Sequence, residues 1–82
     1  MGNTMVFNKT DVLDEEVEEL LKEVATSLEA KGYSAIDQIV GYLLSGDPGY
    51  ISSYQDARTK IQQVDRAKII EVLLQEFYKN HR

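Results

Sequence analysis

Cysteine and tryptophan are missing from this sequence, and histidine and proline occur once each, as His81 and Pro48. Without cysteine there is no disulfide framework and no thiolate zinc site. A single imidazole beside the chain end argues against a histidine-built metal centre and against a Ser–His–acid catalytic unit. No apolar run approaches the ~20 residues that span a bilayer. The first ten residues lack the apolar core of a signal peptide. A cytoplasmic, non-enzymatic protein without a cofactor is the expectation. At 82 residues the chain hides only about 60–65% of its unfolded surface on folding alone. Small chains compensate with disulfides, metals or assembly. With the first two set aside, a homodimer is expected.

Positive charge is also scarce where the chain begins. The net charge is −5, and residues 1–30 hold eight acids against two lysines, while residues 31–82 hold six acids against seven basic groups. Nucleic acids and anionic lipids are bound largely through their phosphates. The acidic first part therefore speaks against both as partners. Arg58, Lys60, Arg66 and Lys68 form a modest basic cluster, whose expected role is solvated ion pairing.

What is present is helical period. Residues 1–13 show none and read as a flexible tail, with Val6 and Phe7 able to touch the body, followed by a single helical domain over 14–82. Asp14 reads as the N-cap of a first helix, with Glu15, Glu16, Glu18 and Glu19 at the positive end of its dipole. Val17, Leu20, Leu21, Val24 and Leu28 make its apolar stripe, and Gly32 ends it. Ile36, Ile39, Val40, Leu43 and Leu44 predict a second helix from Ser34 to Ser45, buried on that stripe, capped by Ser34 and closed by Gly46 and Pro48. Gly41 inside it suggests that another backbone passes close by or that the helix ends there are tuned. A loop follows whose Tyr50, Ile51 and Tyr54 are too apolar to be idle; folding back onto the core is the favoured expectation, and meeting a partner the other. Asp56 and Asp65 read as caps of helices running from Ala57 to about Val64 and from Arg66 to about Asn80. Ile69, Ile70, Leu73, Leu74 and Phe77 form the stripe of the last, with Leu13, Val72 and Tyr78 off the main stripes. The fold class is all-α, a small bundle of four to five helices.

The glycines match neither G-x-G-x-x-G nor the phosphate-cradling loop that ends in Lys-Ser/Thr. The glutamate run lacks the Asp/Asn/Gly loop of a calcium site. The remaining chemical feature is hydroxyl groups in accessible segments: Thr4, Thr10, Ser52 and Ser53. Phosphorylation there would add a charge of about −1.5 to −2.

The runs Lys31-Gly32-Tyr33, Gln38-Ile39-Val40-Gly41-Tyr42-Leu43-Leu44-Ser45-Gly46-Asp47-Pro48, Tyr50-Ile51 and Asp56-Ala57-Arg58 resemble the IreB family, as do Val6-Phe7-Asn8 and Arg66. These are small regulatory phosphoproteins of low-GC Gram-positive bacteria. The resemblance implies an all-helical homodimer that is a substrate of a transmembrane Ser/Thr kinase of the PASTA type. It also implies a part in cell-envelope stress and tolerance of cell-wall antibiotics through a downstream protein that it does not name. Thr4 matches a phosphorylated threonine of the family's tail, with Thr10 as a further candidate. Tyr42, Tyr50, Ile51, Tyr54 and Arg58 are the candidate partner or dimer surface. The chain departs from the family in Ser34-Ala35-Ile36-Asp37, where relatives carry Asn-Pro-Ile-Asn, and in Ser52-Ser53, where Pro-Arg is common. A constitutive adaptor without a phosphate switch is the alternative.

Overall fold

The computed structural model describes residues 13–81. They form α1 (Asp14–Ala30), α2 (Ala35–Ser45), two single 3₁₀ turns (Pro48–Tyr50 and Tyr54–Asp56), α3 (Ala57–Ile61) and α4 (Arg66–Asn80). No strand occurs among the described residues. Residues 1–12, with the tail's Thr4, Val6, Phe7 and Thr10, lie outside them.

The central element is α1, which packs against α2, α3 and α4. Its Val17, Val24 and Leu28 are fully buried among Ala35 and Tyr42 of α2, Ile51, Ala57 and Ile61 of α3, Val64, and Ile69 and Val72 of α4. Each large aliphatic side chain so buried contributes about 1.5–3 kcal/mol. The helix starts one residue earlier than its acids suggest. Leu13 is the extended residue before it, and its N–H donates to Oε1 of Glu16 at 3.4 Å. Asp14 instead pairs with Nζ of Lys68 at 2.7 Å, tying the start of α1 to the first turn of α4. That hydrogen bond raises the Lys68 pKa against the opposing effect of desolvation.

The ends of α2 follow their residue types. The hydroxyl of Ser34 accepts from the N–H of Asp37 at 3.2 Å, and Gly46 takes the left-handed conformation at φ +76°. Arg66 lies over Gly46 and donates from Nη1 to the carbonyl of Leu43 at 3.0 Å, satisfying an oxygen that the helix end leaves free.

The buried side of α2 differs from expectation. Ile36 is 74% exposed, Val40 47% and Leu44 83%, while Ala35 and Tyr42 enter the core and Ile39 and Leu43 are half-buried. Apolar residues surround most of this helix, so a stripe could be drawn on several sides. The small Ala35 lets the backbone approach α1, and Tyr42 fills the space beside it. The same correction applies to α4. It docks by Ile69 and Val72, although Val72 lies off the expected stripe, and Ile70, Leu73, Leu74 and Phe77 remain exposed. The third helix is shorter than expected, ending at Ile61, yet Val64 beyond it is buried. Neither Asp56 nor Asp65 makes a side-chain cap bond; Asp56 and Gln55 are left-handed, at φ 63° and 51°. The Gln55 side chain is anchored by the buried hydroxyl of Ser27, which donates to its Oε1 at 2.8 Å.

Gly41 is explained by a ring, not a backbone. The aromatic face of Tyr50 occupies the place where a Cβ would stand. We predict that Gly41→Ala destabilises the fold by roughly 1–2 kcal/mol, as overpacking at about 1–3 kcal/mol outweighs the gain in helix propensity. In a Tyr50→Ala background the same change is neutral or stabilising by up to about 1 kcal/mol. Urea unfolding of the four proteins of this cycle reads the sign directly.

Candidate functional site

The expected surface residues separate into two groups. Tyr42 and Ile51 are buried within the monomer, at 6% and 0% exposure, because α2 turns its tyrosine inward and the first 3₁₀ turn drops Ile51 into the core. Neither lies on the exposed surface. Arg58 is committed to the loop, donating from Nε to the carbonyl of Ile51 at 2.8 Å. Tyr50 and Tyr54 do present exposed ring surface, Tyr50 over Gly41 and Tyr54 beneath the ammonium of Lys31 at 5.2 Å. Thr4 and Thr10 lie outside the described residues. The basic cluster is dispersed. Lys60 pairs with Glu23 at 3.6 Å, Lys68 with Asp14, and Arg66 with a helix end.

His81 stacks on Phe77 with 4.6 Å between ring centres, and no group of metal-binding side chains occurs among the described residues. No helix there is long and apolar enough to cross a membrane. A polar hollow is lined by Lys22, Glu23, Thr26, Ser27, Gln55 and Lys60, and its walls satisfy one another through the Lys60–Glu23 ion pair and the Ser27–Gln55 hydrogen bond.

The arrangement that sequence reasoning missed is an apolar cleft. It measures about 340 Å³ and lies where α1, α2 and α4 diverge. Leu21 and Ala25 come from α1, Ile39 from α2, and Val72 and Leu73 from α4. Glu18, Lys22 and Glu76 stand around it. Ile36, Val40 and Leu44 continue the apolar surface along α2, and Ile70, Leu74, Phe77 and Tyr78 do so along α4. The signal was present in the sequence as surplus: α2 and α4 carry more large apolar residues than one small core can take.

Glu18 and Glu76 are set close enough to interact. The hydrogen bond that the protonated Glu18 carboxyl donates to Glu76 is the main cause that raises the Glu18 pKa, followed by desolvation and by the like charge of Glu76, while Lys79 pulls it down. A carboxyl whose pKa is raised by folding contributes stability below its unfolded pKa and loses it as pH rises through the folded value. We therefore predict that Glu18→Gln raises the thermal midpoint at neutral pH. The gain should shrink as pH falls through the carboxylate range. Thermal scans over that range check it, and a gain independent of pH would assign the effect to something other than this pair.

The chemistry available here is recognition of apolar surface, together with charge at one edge. Against known families, residues 2–79 match the model of the IreB regulatory phosphoprotein, a match that takes in all four helices but the last residue of α4 and also the segment that precedes α1. The chain belongs to the IreB family of regulatory phosphoproteins.

Proposed function

We propose that this chain acts in the cytoplasm as a homodimeric switch that a PASTA-type Ser/Thr kinase phosphorylates on Thr4, in the response to cell-envelope stress and cell-wall antibiotics. Family membership supports the phosphoprotein part. The observation that carries the dimer is the apolar surface left uncovered on α2 and α4, with Ile36 and Leu44 at its most exposed points. Ile36, Val40, Leu44, Ile70, Leu74, Phe77 and Tyr78, at about half exposure or more, leave on the order of 700 Å², taking aromatic side chains at about 150–250 Å² and aliphatic ones somewhat below. One partner of a stable interface contributes about that much. On the α2 side a second copy meets little charge, since Asp37 is the only charged residue of that helix.

Tyr50 and Tyr54 favour a second reading, a constitutive adaptor that binds another protein through this loop whatever the state of Thr4. The two readings part in one experiment. The purified protein is incubated with a PASTA-kinase catalytic domain and ATP, and phosphate is located by intact mass and peptide sequencing. One phosphate on Thr4, lost in Thr4→Ala, is the expected result. Phosphorylation unchanged by Thr4→Ala would refute the placement, and none at all would leave the adaptor.

For the dimer, Leu44→Asp removes apolar burial twice across a symmetric contact, about 3–6 kcal/mol. Association should weaken more than about 100-fold. Sedimentation equilibrium of parent and variant reads this, and an unchanged mass would remove α2 from the interface.

A further inference from the structure

We infer that the cleft between α1, α2 and α4 is the docking site of the chain's own N-terminal segment, with Val6 and Phe7 on the apolar floor and Lys9 at the acidic rim. The segment's own residues fit the site. Met5, Val6 and Phe7 are three consecutive apolar residues, and Lys9 follows two positions later as the first basic residue of the chain. The cleft offers Leu21, Ala25, Ile39 and Leu73 below, and its edge carries two carboxyls, Glu18 and Glu76, against one ammonium, Lys22, so the rim is acidic on balance. At about 340 Å³ it lies near the lower bound of ligand pockets. It has room for a few side chains, whereas a whole helix is about 10–12 Å across.

Connection and reach agree. The segment joins the body at Leu13, and the next residue, Asp14, is paired with Lys68 of α4 at 2.7 Å. The chain therefore enters at the junction of α1 and α4, the same two helices that bring Glu18 and Glu76 together. Glu18 stands five residues beyond Leu13, about 7.5 Å along the helix axis. Phe7 lies six residue steps before Leu13, and extended these cover about 20 Å. Phe7 can thus return along α1 to the middle of the cleft floor. Because the segment is tethered, its local concentration is in the millimolar range for a short linker. Two apolar side chains then suffice to populate the docked form, and contacts this few are readily reversed.

The docking gives phosphorylation something to act on, a consequence that rests on the Thr4 reading above while the docking itself does not. Thr4 lies three residues before Phe7. A phosphate there brings about −1.5 to −2 charge toward a carboxyl pair that is already repulsive. It would release the segment.

The test uses the unphosphorylated full chain, so its failure leaves the kinase experiment untouched. The absence of cysteine allows one spin label to be placed on Asn8→Cys without competing sites. The amides of Leu21, Ala25, Ile39 and Leu73 should lose most of their intensity, equally at low and high protein concentration. They should recover when Val6→Ser and Phe7→Ser are added, changes that leave the described core intact. Full intensity at these amides in the labelled chain would overturn the proposal. Loss that appears only when labelled and isotope-enriched chains are mixed, or only at high concentration, would also overturn it and assign the cleft to a second copy.

Discussion

Burial of one face of α1 is the constraint on which the structure depends. Val17, Val24 and Leu28 are the fully buried side chains of this helix, and α2, α3 and α4 all pack against it. A helix face is only a stripe wide, and an amphipathic helix with glutamates on its other sides cannot widen it. Three elements share that stripe, so each can bury only a narrow edge. For α2 the edge is Ala35 and Tyr42; for α4 it is Ile69 and Val72. The remaining apolar residues of both helices are left outside by geometry. The exposed surface and the cleft are therefore consequences of the same shortage, one central helix for too many apolar partners.

Polar groups then set how the pieces are held. Arg66 closes the end of α2, Arg58 grips the carbonyl of Ile51, and Gln38 accepts from the N–H of Ser52 at 2.9 Å. Each of these joins a side chain to a backbone group of a distant segment, replacing a partner that water would otherwise supply. The loop between α2 and α3 is for this reason an ordered part of the body. It carries two left-handed non-glycine residues, which persist only where surroundings over-determine them. Ser27 of α1 is one such determinant, since its hydroxyl holds Gln55. The arginines that look like a basic patch in the sequence are consumed in this work.

Local signals were legible and directional ones were not. Ser34, Gly46, Gly32 and the acids of the first turn mark helix ends through chemistry that acts within a few residues, and the structure places the ends of α1 and α2 there. The family was legible from the run around Gly41. The inward side of α2 was not, because periodicity identifies an apolar stripe without naming its neighbour. Tyr42, a candidate for the partner surface, lies in the core, since a tyrosine beside leucines has no local mark of direction; Ile51, also such a candidate, takes the core position that its loop's apolar character favours. The cleft was hidden for the same reason: Leu21, Ile39 and Leu73 converge only once three helices are positioned.

Charge distribution shapes what a phosphate can do to such a molecule. Residues 1–30 carry a large excess of acids, whereas residues 31–82 are almost balanced. Among the described residues of the later part, five basic groups are engaged: Lys60 with Glu23, Lys68 with Asp14 and Glu71, Lys79 with Glu76, and Arg58 and Arg66 with backbone oxygens. A phosphate on the segment before α1 would thus meet carboxylates on its nearest helix and no uncommitted arginine fork among these groups. Creating a new contact within the chain needs such a fork, because arginine matches phosphate oxygens in pairs. Repulsion needs only the acids already in place. Within one copy of this chain, the charge arrangement favours a phosphate that releases the segment over one that fastens it.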